Sequence, residues 1–220
     1  MLLKNPTDYQ GGFWFSYMHE GEYFKSASTE VESIKLIRKE QIGKKLRVTL
    51  HHKPSAFKKP KLEVQVDLLS YDEPVLMIRY RMRNITEEPI KEMLLYNLMD
   101  FDVGGPASYQ DDSAAFNPES GIMRVWDPNG VFVSISSEPK PDAWEISAPA
   151  KNKLGDGRRD LLKNLEYGPK DIATALQWHI GTLDADQSRT VDMVLAASGS
   201  QEDTSALTSS AWEVFAAKMR

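Results

Sequence analysis

The chain has 220 residues, 41 % hydrophobic and 27 % charged, with a net charge of −5, the composition of a folded protein able to bury its own core. The acidic balance argues against general nucleic-acid affinity, which needs a basic face to displace counterions. There is no cysteine, so disulfides, thiolate chemistry and zinc–sulfur sites are excluded. The opening MLLKNPTDYQ carries no signal-like apolar run, and no stretch approaches the roughly 18 apolar residues of a membrane span. The expectation is a cytoplasmic protein without nucleic-acid or membrane partners.

In chain order the dominant period is two. GFWFSYM (12–18) and SIKLIRKE (33–40) come first, followed by LRVTL (46–50), LEVQVDL (62–68) and VLMIRYRMR (75–83). In the last three, Leu46, Val48 and Leu50, then Leu62, Val64 and Val66, then Ile78, Tyr80 and Met82 each fall on one face. Polar side chains, among them Arg79, Arg81 and Arg83, fall on the other, as in half-buried strands. IKEMLLYNLM (90–99), GIMRVW (121–126), VFVSIS (131–136), IATALQWHI (172–180) and TVDMVLA (190–196) continue the series. HEGE, YDEP, NITEEP, PESG, DPNG and LDADQS punctuate it; Asn-Gly in DPNG suits the positive φ of a hairpin turn. Ten to twelve strands at this spacing predict one mainly β domain over residues 1–220, a two-layer antiparallel sandwich or barrel. Two segments depart from the period. Residues 138–171 read as a long irregular loop with one helical candidate, RRDLLKNLEYG (158–168). Residues 203–219 read as a C-terminal α-helix capped by Asp203 or Thr204, with Leu207, Ala211, Phe215 and Met219 on one stripe. That stripe covers its own sheet or docks on a second subunit as a homo-oligomer contact.

Several groups are candidates for chemistry. DFDVGGPASYQD (100–111) has Asp at positions 1, 3 and 12 and Gly at 6, most of the spacing of a calcium loop. Its fifth position is Gly104 and the residues before it read as strand. Asp100, Asp102, Asp111 and the adjoining Asp112 are therefore a candidate calcium set, with a Gly-Gly-Pro corner as the reading the flanks favour; no other cofactor is expected. A sugar stacks on an aromatic ring while carboxylates and amides take its hydroxyls. Asp142, Trp144 and Glu145 in the long loop, with Gln177 and His179, form the candidate ligand set. In IATALQWHI, alternation puts Leu176 and Trp178 in the core and Gln177 and His179 opposite. His51 and His52 point to opposite faces, so they cannot act together. There is no phosphate loop, nucleophile elbow or H-E-x-x-H helix.

NITEEPIKEMLLYNLMDFDVGG (84–105), FNPESGIMRVWDPNGVFVSISSEP (116–139) and IATALQWHIGTLDADQSRTVDMVLAASGS (172–200) together carry a resemblance. Their order of strand, D-x-D-x-G-G corner, strand–turn–strand ending in Ser-Ser-x-Pro, and paired strands ending in Ala-x-Gly covers roughly half the chain. It resembles the large β supersandwich domain preceding the catalytic helical barrel of bacterial and archaeal glucoamylases and glucodextranases, a galactose-mutarotase-like sandwich. The resemblance implies a large two-sheet antiparallel supersandwich with a C-terminal α-helix, in a domain type that is mostly a non-catalytic partner. No helical barrel follows within these residues, and no mutarotase-type His and Glu motif is present, so neither glucan hydrolysis nor any catalytic residue is carried over. The expected function is a non-catalytic carbohydrate-associated binding or accessory domain. The alternatives are a mutarotase-like sugar epimerase and a structural or oligomerising protein without a small-molecule ligand.

Overall fold

The period-two segments pair into two antiparallel sheets stacked face to face. In chain order the elements are β1 (Leu3–Lys4), β2 (Tyr9–His19), β3 (Glu22–Lys25), β4 (Ile34–Ile42), β5 (Lys45–His52), β6 (Leu62–Ser70), β7 (Val75–Asn84), β8 (Ile90–Phe101), β9 (Ser113–Asn117), β10 (Ile122–Trp126), β11 (Phe132–Glu138), β12 (Ala143–Ser147), β13 (Glu166–Tyr167), β14 (Ile172–Leu183), β15 (Ser188–Ser198) and the helix α1 (Gln201–Lys218). This computed structural model describes residues 3–4, 9–26, 33–55, 57–105, 110–148 and 160–220. One sheet has six strands in the order β1–β2–β8–β14–β12, with β3 also on β2; the other has nine in the order β13–β9–β10–β11–β15–β7–β6–β5–β4.

Alternation decides what lies between the sheets. Phe13, Phe15, Tyr17, Leu95, Leu176 and Trp178 of the six-stranded sheet meet Val48, Leu50, Val64, Ile78, Tyr80, Met82 and Met193 of the other. Each such side chain contributes about 1.5–3 kcal/mol on burial. Buried polar groups find partners across the gap: Asn97 Nδ2 donates to Tyr80 Oη at 3.0 Å, and Tyr17 Oη shares a 2.8 Å hydrogen bond with His52 Nδ1. His51 points the other way, 3.1 Å from Glu63.

The outer face of the nine-stranded sheet is wet in one part and dry in another. Three of its arginines are offset by neighbouring carboxylates, Arg47 by Asp67, Arg79 by Asp192 and Arg83 by Asp186, while Arg81 donates to the Ser188 hydroxyl. Under α1 the same face is apolar: Leu69, Val75, Met77, Val194 and Ala196 pack against Ala211, Phe215 and Met219. The helix thus covers its own sheet. It begins at Gln201, earlier than expected, because Ser200 is the cap; its hydroxyl accepts from Asp203 N at 3.1 Å and donates to the Asp203 carboxylate at 2.8 Å. Thr204 and Thr208 join the buried stripe, and Leu207 packs against it half-buried. Lys45 Nζ and Arg79 Nη1 close the other end, both donating to the Met219 carbonyl.

Residues 138–171 hold more strand than their composition suggests. β12 and β13 lie within them, and β13 pairs with β9. The helical candidate 158–168 is corrected: residues 158 and 159 lie outside the described residues, and residues 160–168 hold no helix. Instead the chain runs along β12, with Lys163 at φ 58° and its N–H donating to the Trp144 carbonyl at 2.8 Å. The Asn164 amide then pairs with both backbone groups of Ile146, at 3.0 and 2.8 Å. A side-chain amide that satisfies the edge of β12 competes successfully with a helix of marginal length.

Candidate functional site

The outer face of the six-stranded sheet gathers most of the candidate ligand residues. The register Ala143↔Gln177 and Glu145↔Ala175 puts Glu145, Gln177 and His179 on one face of the β12–β14 pair. Asp142 sits at the start of β12, and its carboxylate accepts from His179 N at 2.7 Å. Residues 160–164 then cross this patch. Leu161 is buried against Trp14, Tyr96 and Leu98. Its N–H donates to Gln177 Oε1 at 3.0 Å, Gln177 Nε2 donates to Asp160 at 2.6 Å, and Leu162 N donates to Glu145 at 3.2 Å. The Gln177 bond, assisted by nearby His179, holds the Asp160 carboxyl below the usual carboxylate range. Glu145 and Gln177 are therefore engaged in docking this segment. Trp144 lies on the opposite face, its ring stacked 4.0 Å from Phe116 and its Nε1 donating to the Asn164 carbonyl. Trp14 is also occupied, stacked 4.9 Å from Tyr96 with their planes 4° apart.

His179 remains half-exposed, and it faces a groove of about 550 Å³ lined by Ser16, Met18, Tyr23, Glu92, Leu94 and Gly181. Three neighbouring strands break register at this level. β2 shifts against β8 between Ser16 and Met18, and β14 shifts against β8 on both sides of Gly181. Glu92 of β8 stands at φ 50°, a left-handed conformation that costs a non-glycine residue on the order of 1 kcal/mol or more. Bulges re-aim side chains and recur beside functional sites. A 260 Å³ cavity lined in part by His19, Glu20 and Glu88 adjoins it, sharing Met18 and Glu92. Of the groove residues, sequence reasoning found only His179. Gly181 carried a signal, since a glycine inside a strand marks a bulge; the conformation of Glu92 carried none.

The acidic stretch turns the corner between β8 and β9. Gly105 N donates to the Asp102 carbonyl at 3.0 Å, and residues 106–109 lie outside the described residues. Asp100 is half-buried, Asp102 and Asp111 are exposed, and Asp112 is fully buried. Asp112 Oδ2 accepts from Val103 N at 3.1 Å, while its Oδ1 has no hydrogen-bond partner among the described residues. Burial, with the carboxylates of Asp127, Asp102 and Asp171 nearby, pushes its pKa up to about 6 against the opposing Val103 bond. Among the described residues no three His, Asp or Glu side chains converge on a point that could hold a metal ion. The corner is tightly built. A Cβ on Gly168, at φ 113°, would stand 2.5 Å from the Asp112 carbonyl oxygen, so only glycine fits there.

No helix of the described residues is long and apolar enough to cross a membrane. No protein-family model and no curated protein sequence matches the chain. Solved structures do. A bacterial glucoamylase complexed with acarbose superposes with a TM-score of 0.66 at 11 % identity, over 90 % of this chain and 28 % of the glucoamylase. The GalM/aldose epimerase homologue from C. elegans gives a TM-score of 0.53 at 11 % identity, over 84 % of this chain and 78 % of that one. The chain thus spans well under a third of the glucoamylase's length. Two large antiparallel sheets, their order and these superpositions identify the fold of this chain as a galactose-mutarotase-like supersandwich.

Proposed function

We propose that this chain is a carbohydrate-associated binding module whose ligand seats in the groove beside His179. The observation that carries the reading is the alignment of register breaks in β2, β8 and β14 beneath that groove. A pyranose presents apolar C–H faces and a rim of hydroxyls. Met18 and Leu94 offer apolar contact, and Ser16, Tyr23, Glu92 and His179 surround it with hydrogen-bonding groups. The likeness to a glucoamylase crystallised with a sugar analogue supports the class of ligand, and the small share of that protein covered here supports an accessory role. Thermal-shift and calorimetric titration with a panel of mono- and oligosaccharides tests it. The expected result is binding by at least one sugar, lost in His179→Ala with the sugar-free melting temperature unchanged. No response across the panel rejects the reading.

A second reading, a mutarotase-like epimerase, is favoured by one specific feature: a histidine and a carboxylate, His179 and Glu92, line the same groove. General acid–base catalysis of anomer exchange needs such a pair within reach of one sugar. Polarimetry separates the two, because a binding module leaves the spontaneous rate of anomer interconversion unchanged and an epimerase accelerates it in a His179-dependent way.

A further inference from the structure

The most unbalanced surface of the molecule lies at the opposite edge of the other sheet. β4 ends the nine-stranded sheet, pairing with β5 on one side; among the described residues nothing pairs with its other side. An unpaired strand presents a row of free N–H and C=O groups. β4 also exposes large apolar side chains, Leu36 at 61 %, Ile37 at 54 % and Ile42 at 44 %. Its register shifts between Leu36 and Arg38, leaving Ile37 bulged, and then runs regularly from Arg38 to Ile42 opposite Thr49 to Lys45.

Charge along this stretch of chain is predominantly basic. Residues 33–61 contain ten Lys and Arg and one acidic residue, Glu40, in a chain whose net charge is −5. Some of these cations are engaged: Arg38 pairs with Glu40, Lys44 with Asp72, Arg47 with Asp67 and Lys61 with Glu20. Lys35, Lys39, Lys53, Lys58 and Lys59 are exposed and, among the described residues, take part in no ion pair. Lys53 N donates to the Ser33 carbonyl at 2.8 Å, which joins the lysine-rich loop to the start of β4.

We propose that β4 is a docking strand for an extended acidic segment of a partner protein. The segment adds to the sheet beside Arg38–Ile42, sets apolar side chains on Leu36, Ile37 and Ile42, and places carboxylates against the unpaired lysines. Strand addition of this kind draws affinity from main-chain hydrogen bonds and specificity from alternate side chains. Charge selects the occupant. A second copy of this chain would bring lysines against lysines, which is destabilising across a strand pair. A polyanionic polysaccharide would satisfy the lysines but leave the free backbone groups and the exposed isoleucines without partners.

The test uses the full chain and a fluorescent peptide of about ten residues alternating Glu and Val, read by anisotropy. Three further probes accompany it: the same peptide with alternate amides N-methylated, its Lys/Val counterpart, and heparin. The expected result is saturable binding of the Glu/Val peptide alone, with slowed hydrogen exchange at Arg38–Ile42. The double variant Lys35→Glu, Lys39→Glu should weaken it roughly tenfold or more without changing the melting temperature, since both side chains are exposed and unpaired. N-methylation should cost at least as much. Absence of peptide binding overturns the proposal, as does equal binding of the N-methylated peptide. Tighter binding of heparin than of the peptide assigns the edge to a polysaccharide, and a dimer abolished by Ile37→Lys assigns it to a second copy; either outcome overturns the proposal too.

Discussion

Asp112 and His52 are both buried, and the fold opposes the charged form of each. Burial pushes His52 down to about 4 from 6.5 and, with help from neighbouring carboxylates, Asp112 up to about 6 from 3.8. Their effects on stability run in opposite directions. For His52 the unfolded chain binds the proton more readily, so stability is complete above about pH 6.5 and falls as pH drops through that window towards 4. For Asp112 the folded chain binds the proton more readily, so stability is complete below the ordinary aspartate value and falls as pH rises from about 4 to 6. Each shift corresponds to about 3 kcal/mol, so the two nearly cancel between about pH 4 and 6. Asp112→Asn keeps the acceptor for Val103 N and removes the charge. Urea denaturation should show it more stable than the parent by about 1–3 kcal/mol near pH 7, and newly acid-sensitive below about pH 6. Parallel pH profiles for variant and parent would reject the account.

At the scale of elements, α1 is held by packing and by anchors at both ends. Phe215 is 3 % exposed and lies in the cluster with Leu69, Val75, Met77 and Val194, with the Arg79 guanidinium 5.4 Å from its ring centre. Phe215→Ala should cost about 3–5 kcal/mol in chemical denaturation, the range for a large aromatic removed from a filled site; a loss within about 1 kcal/mol would mean the helix contributes little to the sheet. The helix and the long strands were legible because each repeats its period over many residues. Ser200 as cap was missed in favour of Asp203 or Thr204, although its hydroxyl stands three residues ahead of the Asp203 carboxylate, the spacing of a reciprocal cap. Residues 160–165 were not. Leu161, Leu162 and Leu165 mimic a helical stripe, yet only Leu161 is buried, and the Asn164 amide decides the local path by pairing with Ile146. β12 was missed for a related reason: a five-residue strand with Pro141 before it and Pro149 after it carries too short a pattern to outweigh turn-like neighbours. Alternation alone separates Trp144 from Glu145; which of them faces the sheet interior depends on Phe116, distant in the chain.

For the molecule as a whole, what was legible was the layering. What was not was the use of each face. Three of the four large surfaces are committed: the two inner faces to each other, and part of the nine-stranded sheet's outer face to α1. Segment 160–164 closes much of the fourth, leaving the groove at His179 as its open end. Parity could place Gln177 and His179 on the outer side, but it could not show that a segment 17 residues away would bury the glutamine and leave the histidine half-exposed beside Asp160. Basic charge collects at the β4 edge, on the other sheet, so the two candidate surfaces can be altered independently.

The seat of α1 has a consequence for how the molecule breathes. Its first turns rest on hydroxyl contacts, Thr204 with Ser198 and Thr208 with Ser134, and Trp212 Nε1 donates to Ser136. Its last turns rest on Phe215 and Met219. Water can replace a hydroxyl partner at a net cost of about 0.5–1.5 kcal/mol per bond, but it offers nothing to an exposed phenyl ring. The helix should therefore lift from its N-terminal half first, as a local opening well below the free energy of global unfolding. In native-state hydrogen exchange, amides around Thr208 should exchange through a low-energy opening while those around Phe215 exchange only with the sheet beneath them. The first turns would then unwind while the last turns keep their apolar seat, with the loosened end still tethered to β15 through Gly199 and Ser200.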